Sequence, residues 1–300
     1  MTNKVDLSII IPVFNESQAI DEVLNKLINF SFPCQTEIII VDDGSTDETS
    51  KHLKIFVDKP GLTVMTKTNN QGYGAALKTG IRHAIGEYIV AYDGDGQFIP
   101  EHIQSIWDYR KEHNLPVVFG ERQGLLKGSQ FWRTPGKFFI RYLVRNLVGI
   151  RLKDFNCGLR LVKREVILKY LHLCSDKFSF STTSTLILIS RGYPYDFMSL
   201  KPLDRSSGVS TVGVSSGFHT ILLIIRIIML FNPLKIFISG GGVFLLIGVI
   251  WGLYYILLGQ GLSVGSLLFI LIGILLIFLG LIADQIAEIR KSQFENNYII

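Results

Sequence analysis

Charge is scarce in this chain: aspartate, glutamate, lysine and arginine together make up 18% of its 300 residues. Where it is missing altogether is more telling. No charged residue occurs from Ile236 to Ala283, a run that excludes a wholly soluble protein. No carboxylate occurs from Arg122 to Lys153, although that stretch holds Arg122, Lys127, Arg133, Lys137, Arg141, Arg145, Arg151 and Lys153. Only three cysteines are present, Cys34, Cys157 and Cys174, without metal-ligand spacing. That excludes a zinc module or a disulfide scaffold and fits a reducing compartment. Met1 to Asp6 leads straight into a short strand with no apolar run before it, so secretion is not expected. There is no Walker lysine loop, and Gly72-x-Gly74 lacks the third glycine of a dinucleotide fingerprint, which sets aside P-loop and nicotinamide chemistry. Internal repeats and low-complexity linkers are also missing.

What is present begins with apolar runs that each end in a polar cluster. Val5 to Pro12, Thr36 to Val41, Leu62 to Thr66 and Tyr88 to Tyr92 read as strands, with helical spacing between them. Ser17 is expected to cap the first helix, and Ser45 with Glu48 to form a capping box for the second. Strands alternating with helices imply a parallel sheet covered on both faces, with ligands bound beyond the carboxyl ends of the strands. Pro12 to Glu16, Asp42 to Asp47 and Asp93 to Gln97 all fall at such ends. The Gly72-x-Gly74 turn before a helix is expected to offer free N–H groups to a diphosphate.

The sequence is organised around Asp93-Gly-Asp-Gly-Gln97. In extended backbone, positions i, i+2 and i+4 share a side, so Asp93, Asp95 and Gln97 can reach one point. That donor set suits Mg²⁺ or Mn²⁺, which take oxygen ligands and fill the remaining positions with water and phosphate. Taken alone, the same residues would also make an ordinary surface turn.

In the basic stretch, Lys137, Arg141 and Arg145 line one helical stripe and Phe139, Leu143 and Leu147 another. The region at about 136–150 therefore reads as an amphipathic helix on a membrane surface, or as a solvated helix with a charged face. Asp154 is the sole acid between Glu121 and Glu165, a candidate base or phosphate-positioning group, or else a counter-ion for the arginines. Lys201 to Ser210, with Arg205, reads as a loop able to close over a ligand. Residues 213–233 are apolar, interrupted by Arg226 and ended by Asn232-Pro233, as in an interfacial helix. Two membrane spans are expected at about 236–258 and 262–283, joined by the uncharged Gly259-Gln-Gly-Leu-Ser263 and followed by a tail to residue 300. Arg226, Lys235, Arg290 and Lys291 flank the hairpin, which places the 1–212 domain and both termini in the cytoplasm. Basic residues beside bilayer-compatible segments disfavour nucleic acid as the partner.

Pro12-Val-Phe-Asn-Glu16, Val41-Asp-Asp-Gly-Ser-Thr-Asp47, Asn70-Gln-Gly-Tyr-Gly-Ala75, Asp93-Gly-Asp-Gly-Gln97 and Cys157-Gly-Leu-Arg160 stand in the order seen in glycosyltransferase family two. With the hairpin, nearly the whole chain resembles the polyprenyl-phosphate glycosyltransferases, the group that includes dolichyl-phosphate mannose synthase and bactoprenol glucosyltransferase. The resemblance implies an α/β fold, a Rossmann-like GT-A domain for nucleotide-diphospho sugars, with interfacial helices and a transmembrane hairpin. It implies that Pro12, Val13, Asn15, Glu16, Asp42 and Asp43 line a nucleotide pocket and that Gly72 and Gly74 shape its floor. Asp93, Asp95 and Gln97 would hold the cation, Arg122, Arg133 and Lys137 the lipid phosphate, and Arg205 the donor diphosphate. Three positions depart from the family pattern: Glu121 and Lys137 stand where serine is usual, and Thr182-Thr-Ser-Thr185 where a glutamate is usual.

The implied reaction moves a hexose of the glucose or mannose class from a UDP- or GDP-sugar to a polyprenyl phosphate, with inversion. A phosphate monoester, with its second pKa near 6, is already ionised at neutral pH and needs no strong base. Catalysis would rest on Asp93, Asp95, Asp154 and Arg205 as groups that position two anions and stabilise the leaving diphosphate. The competing readings are a membrane polysaccharide synthase and a non-catalytic nucleotide-sugar-binding scaffold for a lipid-sugar flippase. Self-association is left open.

Overall fold

The computed structural model describes residues 4–123, 157–203 and 233–296. They fall into two compact units, one ending at residue 203 and the other starting at 233. The basic helix expected at about 136–150, the interfacial segment 213–232, and Asp154, Arg133, Lys137 and Arg205 lie outside the described residues.

In chain order the first unit holds β1 (Leu7–Val13), α1 (Ile20–Ile28), β2 (Thr36–Asp42), α2 (Thr49–Lys54), β3 (Leu62–Thr66), α3 (Tyr73–His83) and β4 (Tyr88–Ala91). There follow α4 (Pro100–Glu112), β5 (Val117–Arg122), β6 (Arg160–Lys163), α5 (Arg164–Tyr170), α6 (Phe180–Ser190) and β7 (Tyr195–Leu200). The sheet order is β3-β2-β1-β4-β6-β5-β7. β1, β2, β3 and β4 pair in parallel, as the alternating pattern implies. The sheet as a whole is mixed, which corrects the parallel sheet expected: β6 runs antiparallel to both β4 and β5, while β7 is parallel to β5.

Every residue of β1 is buried, which is why its sequence is a continuous apolar run rather than an alternating one. Leu7, Ile9, Ile11 and Val13 share one cluster with Val23, Leu24 and Leu27 of α1 and Ile103, Ile106 and Trp107 of α4. This core fixes the direction of β1 and β4, and with them the loops at their carboxyl ends.

Two helix starts differ from expectation. α1 begins at Ile20 with no side-chain cap, and the Ser17 N–H donates to Asp47 Oδ2 at 3.3 Å. α2 begins at Thr49, whose N–H donates to Asp47 Oδ1 at 3.0 Å. Ser45 Oγ instead accepts the Asn15 N–H at 3.0 Å, and Glu48 pairs with Lys51.

The second unit is a helical hairpin, α7 (Pro233–Leu257) and α8 (Val264–Asn296). Pro233–Leu257 and Val264–Ile289 are long and apolar enough to cross a membrane. The helix after the second apolar run continues to Asn296 instead of ending near 283. A Cβ on Gly241 would lie 2.7 Å from the Gly273 carbonyl, and one on Gly273 would lie 2.8 Å from the Gly241 carbonyl. The two backbones thus meet through small residues, while Leu253, Leu268, Leu275 and Phe278 point outward, the arrangement of helices solvated by lipid.

Candidate active site

The loops after β1 and β2 are stitched together. Asn15 adopts a left-handed backbone (φ 55°), which asparagine tolerates better than most residues. Its side-chain carbonyl accepts the Thr46 N–H at 2.8 Å, and the Glu16 N–H donates to Thr49 Oγ1 at 2.9 Å. Pro12 and Val13 are buried in β1, whereas Phe14, Asn15 and Thr46 remain exposed.

Asp42 and Asp43 are both buried and have internal work. Asp42 accepts the Ser45 N–H at 2.9 Å and the Ser50 hydroxyl at 2.5 Å. Asp43 pairs with Lys67 at 3.0 Å and accepts the N–H groups of Gln71 and Gly72 at 3.2 and 2.6 Å. Of the N–H groups expected to be open at the Gly72-x-Gly74 turn, that of Gly72 is therefore taken. Gly72 donates to Asp43, and the Ala75 N–H donates to the Asp176 carbonyl at 3.0 Å. A Cβ on Gly72 or Gly74 would collide with the backbone of Ser175 and Asp176, so the glycines make room for that segment. Lys78, nearly buried on α3, holds Asp176 from below at 2.7 Å.

Asp93 and Asp95 follow β4. The Tyr73 hydroxyl, at the first turn of α3, donates to Asp93 Oδ1 at 2.8 Å. On the other side the carboxylate rests against the backbone of Gly158, where any Cβ would overlap it. Burial pushes the Asp93 carboxyl up to about 6, and the like charge of Asp95 adds to this. The Tyr73 hydrogen bond, Arg160 and Arg122 act in the opposite direction. Arg122, at the end of β5, is thus electrostatically within reach of Asp93. Burial, and then the nearby Asp93, push the Tyr73 phenol well above its ordinary value, so it stays a proton donor to the carboxylate.

Gln97 contributes through its backbone. Its N–H donates to Asp95 Oδ1 at 3.1 Å, and its carbonyl accepts the Leu203 N–H at 2.9 Å. Among the described residues no three His, Cys, Asp or Glu side chains gather as a metal site. Two interacting carboxylates at a glycine-lined turn are nevertheless the oxygen donor set that Mg²⁺ or Mn²⁺ uses when substrate phosphates and water complete its shell. The chemistry of the pair fits such a cation.

Residues 8–171 match the family model Glycosyl transferase family 2, and residues 232–289 match the GtrB C-terminal hairpin. The chain belongs to glycosyl transferase family 2. The dodecaprenyl-phosphate galacturonate synthase of Rhizobium johnstonii is 27% identical, over 99% of this chain and 92% of that one. The undecaprenyl-phosphate 4-deoxy-4-formamido-L-arabinose transferase of Edwardsiella ictaluri is 26% identical, over 95% and 90%. Of solved structures, the glucosyl-3-phosphoglycerate synthase of Mycobacterium tuberculosis, in complex with Mn²⁺, uridine-diphosphate and phosphoglyceric acid, shares the fold. Its TM-score is 0.59 at 16% identity, covering 75% of this chain and 78% of that one.

In this glycosyltransferase, sequence reasoning marked Asp93 but missed Tyr73 and Gly158, which touch its carboxylate, and Arg160, whose charge acts on it. Tyr73 was visible only as a member of the Asn70 to Ala75 motif, and Gly158 and Arg160 only as members of Cys157-Gly-Leu-Arg160. Phe178, stacked on Tyr73 with ring centroids 5.8 Å apart and the planes 10° from parallel, gave no signal beyond being an aromatic in a polar stretch.

Proposed function

We propose that this glycosyltransferase moves a hexose-class sugar from a nucleoside diphosphate donor to a polyprenyl phosphate, at the cytoplasmic face of a membrane. The observation that carries the reading is the Asp93–Asp95 pair, with Asp93 pinned between Tyr73 and Gly158 at the carboxyl end of β4. The full-length likeness to two polyprenyl-phosphate sugar enzymes supports the lipid acceptor. The hairpin, with Lys235, Arg290 and Lys291 at its ends and no charge in its turn, supports membrane anchorage and a cytoplasmic catalytic unit.

Asp93 and Asp95 would hold Mg²⁺ or Mn²⁺, with Gln97 completing the turn. When bound, the ion would offset charge building on the leaving diphosphate. Asn15 and Glu16 would line the nucleotide pocket on the loops that Asp42 and Asp43 brace from inside. Arg122, with Arg133 and Lys137, would fix the acceptor phosphate near the anomeric carbon, and Arg205 would steady the donor diphosphate. An acceptor oxygen already ionised at neutral pH leaves Asp154 a positioning task rather than strong-base chemistry. A single in-line displacement would invert the anomeric centre.

The test is a panel of UDP- and GDP-linked hexoses, hexuronates and 4-amino-pentoses, offered with a short polyprenyl phosphate and Mn²⁺ or Mg²⁺ and scored for acid-labile glycolipid. A hexose donor giving an inverted lipid phosphate sugar is the expected result. Transfer only from a non-hexose donor would correct the sugar class, and no glycolipid from any donor would sink the reading.

A further inference from the structure

We infer that Arg160 is a positioning residue for Asp93: its guanidinium holds the Cys157–Gly158 backbone as the wall that aims the carboxylate. This rests on the reading of Asp93 and Asp95 as cation ligands.

Arg160 opens β6 and is 4% exposed. Its Nη1 donates to the Ser181 carbonyl at 2.6 Å, to Ser184 Oγ at 2.8 Å and to Thr185 Oγ1 at 3.2 Å, and its Nη2 donates to the Cys157 carbonyl at 2.5 Å. Every one of these acceptors is neutral, and the buried Nε finds no partner. A buried cation whose hydrogen bonds all go to neutral groups is costly even with the Asp93 charge nearby, and a well-packed apolar side chain would stabilise the fold more cheaply. The cost becomes intelligible from what the fork joins. It ties α6 to the segment leading into β6, and in that segment Gly158 touches the Asp93 carboxylate so closely that a Cβ there would overlap it. With Tyr73 on one side and Gly158 on the other, Asp93 has little freedom. A shift of the 157–158 backbone by about 1 Å would move the carboxylate with it, a displacement able to cost orders of magnitude in rate.

The same geometry gives work to hydroxyls of Thr182 to Thr185, the buried run that stands where the family pattern has a glutamate. Ser184 Oγ and Thr185 Oγ1 accept from Arg160 beside the Ser181 and Cys157 carbonyls, and Thr183 Oγ1 accepts the Ser175 N–H at 3.2 Å, joining that segment to the same helix.

A purely electrostatic role makes the opposite forecast. At about pH 8, where Asp93 is ionised, a positive charge behind it repels a divalent cation, so removing the charge would tighten binding, whereas removing a mechanical support would weaken it. The measurement is the Mn²⁺ dissociation constant of the full-length protein in detergent, read from the electron paramagnetic resonance signal of free Mn²⁺. Arg160→Lys keeps the charge but loses the fork, and Arg160→Gln loses both. Each is expected to raise the constant about 10- to 100-fold, the range seen when supports of metal ligands are removed. Gly158→Ala, with Arg160 intact, is expected to do the same. Should Arg160→Gln fail to fold, the double variant Ser184→Ala/Thr185→Val retains the charge, removes two acceptors and should weaken binding several-fold. Wild-type or tighter binding in Arg160→Gln, or unchanged binding in Arg160→Lys or in the double variant, overturns the inference. If Asp95→Asn abolishes Mn²⁺ binding while the Arg160 variants leave it intact, only the role of Arg160 falls. If Asp95→Asn binds Mn²⁺ like the wild type, the metal reading falls too.

Discussion

The Tyr73 hydroxyl and the Asp93 carboxylate show how much of the site depends on a single hydrogen bond. The bond is made to a group whose burial already disfavours its charge, so losing it leaves that carboxylate less well held as well as harder to ionise. Tyr73→Phe is expected to lower kcat by roughly 10- to 100-fold, the worth of a charge-assisted hydrogen bond, without unfolding the protein. Steady-state kinetics beside a circular-dichroism melt would check it. Asp93 also links pH to stability. Its folded pKa of about 6 lies above that of an unfolded aspartate, so the fold prefers the protonated form. The contribution is therefore fully present below about pH 4 and is lost as pH rises through about 6. For metal-free protein, the difference in thermal midpoint between wild type and Asp93→Asn should widen against the wild type across that window. Added Mn²⁺ above pH 6 should narrow it. A gap that stays constant with pH would contradict the assignment. None of Tyr73, Gly158 or Arg160 could be ranked from sequence, because each matters through the partner that the fold brings to it from a distant stretch of chain, and no local pattern records that partner.

At the scale of elements, the sequence was informative wherever one element's pattern was self-contained. β1, β2, β3 and β4 were legible because each is an apolar run that stops at a polar cluster, and α4 because Pro100 opens it. The antiparallel course of β6 was not legible. It has four residues, and its partners on β4 lie some seventy positions upstream, so nothing local records their direction. The capping box failed for a related reason: Ser45 and Glu48 carry the right spacing, but Asn15 and Lys51 compete for them. The hairpin offers a test of element packing. Gly241→Leu would drive a side chain into the α8 backbone at Gly273, whereas a Cβ on Gly242 meets nothing within 4 Å. In detergent, Gly241→Leu should lower the thermal midpoint of the hairpin unit by several degrees and Gly242→Leu should leave it unchanged. Equal effects would mean that the two backbones do not approach as described.

For the whole molecule, two kinds of sequence shortage mark two stretches of the chain. A run without charge became a pair of helices fit for lipid, and a carboxylate-free run precedes a β6 whose entry segment abuts Asp93 at Gly158. The net charge of +5 comes with its basic residues near these segments, as expected for a protein that meets anions at a bilayer. The family was readable from motifs standing in a fixed order, and the hairpin from two apolar runs without charge. Individual sugars are not readable in this way, because donor choice depends on side chains and loops that the motifs do not fix. The most direct test of the central claim compares full-length protein in lipid nanodiscs, supplied with polyprenyl phosphate and its best sugar nucleotide, before and after stripping of divalent ions, with Asp95→Asn alongside. Glycolipid formation should fall by orders of magnitude on stripping, return with Mn²⁺ or Mg²⁺, and stay low in the variant; undiminished turnover in either the stripped enzyme or Asp95→Asn would contradict it.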